Sequence, residues 1–374
     1  MQEALYIFQV RISRSQGEKI IMDRAKHSRD PQIDLITILM QLFVVGLHVH
    51  NPYSFSKPFL EMFQLLLFTC NSIFFIKSGY LNLNGTFETK DDYINYYKRK
   101  CVGFLLPFVI AVLAIAVIDS YLYPAGLLEG SKSEEINIGS IFFYAYRIIW
   151  GYRENNEHLW YVYQLIPMLL VAPFLSTMLR NTKKAGLLAL MAVAFLWQNI
   201  TMFFVDIPPI SYSAYLKTFI NGYFVYFILG YYFRNNVFTD TIKKNIKIWI
   251  LVAIYAFVFT AIQWAYLGGF DYILSITWVI YISVSWIIMK DYLIIRPRII
   301  QKVLAFLAKY AFLSYLLHVK VYQIMIQYMG WITVKPIILQ IIIVFTATTI
   351  VSAALSFCII KPAQRITRKL LKMG

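Results

Sequence analysis

Residues 33–50 read Ile33-Asp34-Leu35-Ile36-Thr37-Ile38-Leu39-Met40-Gln41-Leu42-Phe43-Val44-Val45-Gly46-Leu47-His48-Val49-His50. Asp34 stands at one end, His48 and His50 at the other, and no charged residue lies between. As a helix this stretch is about 27 Å long, close to the hydrocarbon thickness of a bilayer. It therefore reads as a helix that crosses a membrane. Polar groups inside such a helix are costly, so Asp34 and His48 become functional candidates.

The pattern recurs along the chain. Mostly apolar runs of the length a spanning helix needs cover 33–50, 58–80, 101–122, 158–179, 185–204, 214–233, 246–268, 272–289, 303–327 and 336–360. Pro31, Pro58, Pro208, Pro209, Pro336 and Pro362 lie at or near their ends, where proline punctuates helices. A shorter stretch, 139–152, is interrupted by Arg147 and is expected to be interfacial or re-entrant. Composition agrees. The 374 residues are 59% hydrophobic and 14% charged, with 29 Phe, 28 Tyr and 8 Trp, and mean hydropathy is +0.61. Soluble domains sit at about 45–50% apolar and about 25% charged, so an ordinary water-soluble enzyme is excluded. The expected fold is an all-α polytopic membrane protein of about ten transmembrane helices.

The net charge of +16, from 35 Lys+Arg against 19 Asp+Glu, has two physical readings. It suits a nucleic-acid binder or a membrane protein with basic cytoplasmic loops. Position decides between them. Twenty-six of the 35 basic residues fall in 1–30, 81–100, 180–184, 234–247, 290–302 and 361–374, all on one side if the runs alternate. Lys57, Lys132, Arg147, Arg153 and Lys335 fall on the other, while Lys77, Lys217, Lys309 and Lys320 lie within runs. That asymmetry places both termini in the cytoplasm. Glu129, Glu134, Glu135, Glu154 and Glu157 cluster in the outer 123–157 loop. No basic helix face with interleaved aromatics and no nucleic-acid motif is present, so the lipid bilayer, not nucleic acid, is the expected partner. Cys70, Cys101 and Cys358 form no CxxC and no metal spacing, so neither disulfide nor metal is indicated. The first 29 residues are polar and basic without the apolar core of a leader, and Met22 is an alternative start.

Several residues carry potential chemistry. An imidazole with an unperturbed pKa of about 6.5 suits proton abstraction from a hydroxyl, which makes His48 a general-base candidate. An interfacial histidine bonded to a neighbouring helix is the plainer reading, and more so for His50. Lys77 lies about one turn inside the inner end of the second run, before Ser78 and Gly79, which permit close helix packing or a break. It either faces a ligand or snorkels. Lys98, Arg99 and Lys100 would suit the phosphates of a nucleotide-containing donor or anchor their helix. His158, Trp160 and Tyr161 open the fourth run, in an aromatic belt, and His318 is a second intramembrane histidine near the outer half.

Taken in order, Ile33–His48, the Phe74-Phe75-Ile76-Lys77-Ser78-Gly79-Tyr80 segment, Lys98–Pro107, His158–Tyr161, Tyr226–Gly230, Ser314–His318 and Lys361-Pro362 resemble the acyltransferase-3 family of integral membrane acyltransferases. The likeness is strongest to bacterial cell-surface polysaccharide O-acetyltransferases. It implies a cytoplasmic tail at 1–30, an acyltransferase membrane domain over 31–365 and a basic tail at 366–374. It also implies a multi-pass cell-membrane enzyme that moves an acetyl group from cytoplasmic acetyl-CoA, a co-substrate, to a hydroxyl of a cell-surface glycan or lipid-linked sugar. His48 matches the family's essential histidine, with Asp34 orienting a partner or capping its helix. Lys77, Lys98, Arg99 and Lys100 would hold the donor, and His158, Trp160 and His318 the acceptor. The family arginine that precedes the histidine by eleven positions is Thr37 here, and Lys77, at similar depth on an antiparallel helix, is the cation expected to replace it. A transporter or flippase on the same scaffold, or a catalytically degenerate member, stays open, as does a homo-oligomer.

Overall fold

The structure is a computed structural model that describes residues 29–49, 57–122, 138–151, 156–201, 222–267 and 275–373. The expected tail 1–28 with Met22, His50, most of the acidic 123–157 loop, and Lys217 with Pro208 and Pro209 lie outside the described residues. Among the described residues there is no strand. The helices are α1 (Pro31–His48), α2 (Lys57–Asn82), α3 (Lys90–Lys100), α4 (Leu106–Leu122), α5 (Ile138–Ile149), α6 (Trp160–Asn181), α7 (Lys184–Thr201), α8 (Tyr223–Arg234), α9 (Thr239–Lys244), α10 (Ile246–Leu267), α11 (Ile276–Ile287), α12 (Arg298–Tyr328), α13 (Ile337–Leu355) and α14 (Lys361–Leu370). The described parts of the ten apolar runs lie almost wholly on these helices and the short helical turns that adjoin them. Seven helical stretches among the described residues are long and apolar enough to cross a membrane; α7, α8 and α11 lie in the other three expected runs. The protein is an all-α polytopic membrane protein.

Local chemistry explains where helices start. Asp30 caps α1, its Oδ1 accepting from the backbone N–H groups of Gln32 and Ile33 at 3.0 and 3.4 Å, with Pro31 in the first turn. Thr89 and Asp92 form a reciprocal capping box on α3. Three π-helical turns follow, at Cys101–Leu105, Ile288–Tyr292 and Ser356–Ile360. Each displaces the i→i−4 ladder, and in the first the Val102 carbonyl accepts from Gln364 Nε2 on α14 at 2.9 Å.

The bundle centres on α1, which packs along α2, α12 and α13. The closest crossing is between α2 and α8. A Cβ on Gly79 would stand 1.8 Å from the Phe227 carbonyl oxygen, and one on Gly230 would stand 2.3 Å from both the Ile76 carbonyl oxygen and the Tyr80 nitrogen. Backbone meets backbone there, as small residues allow between membrane helices. Gly230→Ala is expected to lower stability by about 3 kcal/mol or more, the upper end for overpacking, because neither helix has a side chain that can yield. A thermal melt of the purified protein in detergent checks this, and an unchanged midpoint would contradict the backbone contact.

Lipid-facing surfaces are apolar: α10 exposes Leu251, Ile254, Tyr255 and Ile262, and α13 exposes Ile338, Ile342 and Ile350. Helix α5, the 139–152 stretch, buries Tyr144, Ala145 and Ile148 against α4 and exposes Phe142, Phe143, Tyr146 and Trp150. Twelve residues with one aromatic face outward suit the membrane interface.

Candidate active site

Three histidines far apart in sequence meet at one end of the bundle. The last turn of α1 presents His48, the 3₁₀ turn Glu157–Leu159 before α6 presents His158, and α12 presents His318. The His48 ring centroid lies 4.9 Å from that of His318 and 6.2 Å from that of His158, and the last two are 5.3 Å apart. His158 and His318 are buried, and His48 is half-buried. His318 Nδ1 lies 2.6 Å from the Tyr315 carbonyl oxygen, and His158 Nε2 lies 3.1 Å from that of Leu316. A carbonyl can only accept, so each of these nitrogens carries a hydrogen and donates. In the neutral ring the other nitrogen is then bare: Nε2 of His318, which is buried without a hydrogen-bond partner among the described residues, and Nδ1 of His158. The Tyr315 hydroxyl donates to the carbonyl of His158 and fixes that turn.

His48 and His158 line a cavity of about 290 Å³ with Trp160, Tyr315 and Phe68, together with Gln64 and Asn71 of α2, while the His318 ring packs behind His48. Hydrogen-bonding amides beside imidazoles can orient a hydroxyl compound for proton abstraction, and Trp160 supplies an apolar wall.

A buried ion pair braces the same end. Lys320, fully buried and two residues past His318, lies 2.7 Å from Asp119 Oδ1 on α4. Asp119 Oδ2 accepts from the Tyr144 hydroxyl at 3.0 Å and from Asn156 Nδ2 at 3.3 Å. Asn156 precedes His158 by two residues, so one carboxylate holds the chain segments of both buried histidines. Sequence reading missed this network. Its signal was two opposite charges within separate apolar runs.

At the opposite end Arg29 pairs with Asp34 at 2.6 Å. Thr37 is buried, its hydroxyl donating to the Ile33 carbonyl at 2.6 Å. Lys77 lies over the Phe74 ring at 5.7 Å and within electrostatic reach of Asp34 and Arg29. The structure therefore brings Lys77 to the α1 segment that holds Thr37, and adds Arg29. The Lys98–Lys100 run meets the end of the same helix α2 through Asn82. Lys98 donates to the Leu371 carbonyl at 2.8 Å, Lys100 donates to Asn82 Oδ1, and Arg99 is exposed. Between the two ends sits Gln41, seven residues from both Asp34 and His48 and so on nearly the same helix face. It is buried, and its amide nitrogen and oxygen have no partner among the described residues.

A profile of the acyltransferase-3 family, described as an acyltransferase domain, matches residues 30–359. The chain belongs to that family. No curated protein and no solved structure matches it. The matched range of this membrane acyltransferase begins at the α1 cap and ends in the π-turn before Lys361, so it holds all three histidines, the Asp119–Lys320 pair and Lys77. In this acyltransferase Arg29, Lys98, Lys100, Arg234, Lys243 and Lys290 each bond to or stack on the protein's own acidic, polar or aromatic groups, at the end of the bundle away from the histidines.

Proposed function

We propose that this acyltransferase is a cell-membrane O-acetyltransferase. It takes acetyl from acetyl-CoA on the cytoplasmic side and passes it to a hydroxyl of an extracytoplasmic glycan or lipid-linked sugar. The observation that carries the reading is the convergence of His48, His158 and His318 at one end of the bundle, two of them on a cavity that also presents Gln64 and Asn71, with basic residues gathered at the other. Charge asymmetry of that kind puts the basic end in the cytoplasm.

In the proposed reaction His48 takes the proton of the acceptor hydroxyl as its oxygen attacks the thioester carbonyl. The carbon–sulfur bond breaks, the ester forms, and the departing thiolate receives the proton from the His48 imidazolium. His318 presents a bare ring nitrogen close to His48 and orients its ring, as the third member of a nucleophile–base–orienter arrangement does. The side chains around Gln64, Asn71 and Trp160 hold the sugar. The donor enters from the basic end, where Lys77 meets its charge.

Membranes carrying the protein, incubated with radiolabelled acetyl-CoA and a cell-surface acceptor, are expected to transfer label to that acceptor. Absence of transfer together with acceptor uptake into proteoliposomes without acetyl-CoA would support a transporter instead. Lys77→Met is expected to abolish transfer while leaving the melting midpoint in place; full activity in that variant would remove Lys77 from the donor path.

A further inference from the structure

We infer that a polar pocket at the basic end, formed by Tyr80, Arg234, Thr239, Lys243, Lys290 and Asp291, is a phosphate-ester site that docks the diphosphate of the acyl donor. The inference rests on the proposed acetyl-CoA chemistry and assigns residues that the motifs do not.

The pocket has a volume of about 220 Å³. It lies where α8 ends, where α9 begins and where the π-turn Ile288–Tyr292 follows α11. Three cations line it against one carboxylate. Lys243 lies 2.7 Å from Asp291, and Lys290 lies 3.0 Å from Asp30, the cap of α1. Burial lowers the pKa of Lys290, but Asp30, Tyr80 and Asp291 together outweigh it and hold the pKa above the usual lysine value, so this cation stays charged. Arg234 lies over the Tyr80 ring with its guanidinium carbon 4.8 Å from the centroid. A guanidinium stacked in this way keeps its N–H edge for a planar pair of phosphate oxygens.

Thr239 supplies the independent observation. It is 2% exposed, and its hydroxyl has no hydrogen-bond partner among the described residues. A buried hydroxyl left without a partner costs about 1–3 kcal/mol, a penalty that a bound oxyanion would remove. Arg234, stacked on Tyr80, and Lys290, held by Asp30, together with a hydroxyl donor match the chemistry of a phosphate ester.

An anionic lipid headgroup offers the same chemistry, but position favours the donor. The pocket is backed by buried Trp286 and by Tyr80, and its lining is polar where a lipid would need an acyl groove. Tyr80 is one turn from Lys77 on α2, and Asp30 ties Lys290 to the start of α1, the helix that carries His48. A donor held here points its thioester along α1 toward the histidines.

The test is titration of coenzyme A into the purified full-length protein in phosphatidylcholine nanodiscs. Arg234→Gln and Lys290→Gln are each expected to weaken coenzyme A binding about tenfold, and to leave pantetheine, which lacks the diphosphate, unaffected. Thr239→Val is expected to weaken coenzyme A binding several-fold while the melting midpoint holds or rises, because it removes only an unpartnered hydroxyl. Wild-type coenzyme A affinity in all three folded variants would overturn the site and leave the donor reading intact. No coenzyme A binding by the wild type would overturn the donor reading itself. Variants that lose phosphatidylglycerol binding but keep coenzyme A binding would assign the pocket to lipid.

Discussion

His48→Ala is expected to lose acyl transfer by about 10²–10⁴-fold, the range that a positioned general base contributes, with insertion and melting unchanged. His48 is half-buried on a cavity wall, so truncating it opens no hole in the core. The two buried histidines separate orientation from proton transfer. His318→Asn can keep an N–H near the Tyr315 carbonyl but deletes the bare Nε2, so its rate is expected to fall less than that of His48→Ala. Initial rates with labelled donor in membranes give both numbers. Wild-type turnover in His48→Ala would remove the imidazole from the chemistry.

Lys320→Met is expected to cost about 3–5 kcal/mol, the penalty for stranding one partner of a buried ion pair. Asp119 would keep its bonds from Tyr144 and Asn156 but hold an uncompensated charge beside an apolar bundle. Adding Asp119→Asn to Lys320→Met removes that charge, and most of the loss is expected to return. Thermal midpoints of the single and double variants in one detergent read the effect directly. A Lys320→Met protein as stable as the wild type would show that the pair carries no stability. Because Asp119 holds the segments of both His158 and His318, the single variant is also expected to lose transfer beyond what its lost stability explains.

The bundle was legible because a bilayer imposes a length, and a run such as 303–327 can be counted without knowing its neighbours. What pairs with what was not. Each of His48, His158 and His318 stood out alone, yet no local periodicity reports that three turns so far apart in sequence bring their rings together. Gly79 was read as permitting close packing, but its partner Gly230 emerges only from the α2–α8 crossing. Lys320 lay in view inside a run while Asp119, at the end of another, looked like any boundary residue. The π-turns left no pattern in the sequence, and one of them carries Lys290 and Asp291 to the polar pocket. The run Lys98–Lys100 drew attention through its charge density, but two of its lysines bond to the protein's own Leu371 and Asn82. Arg234, Lys243 and Lys290, scattered over two loops, share a pocket that composition alone does not reveal.

The central claim is that acyl groups enter at the basic end and are transferred at the histidine cavity on the opposite face. Sealed vesicles of known orientation test it, with labelled acetyl-CoA supplied to one face and the glycan acceptor to the other. Label is expected on the acceptor only when donor meets the basic face and acceptor the histidine face, and only with His48 intact. Equal labelling with the two faces exchanged, or labelling that survives His48→Ala, would contradict it.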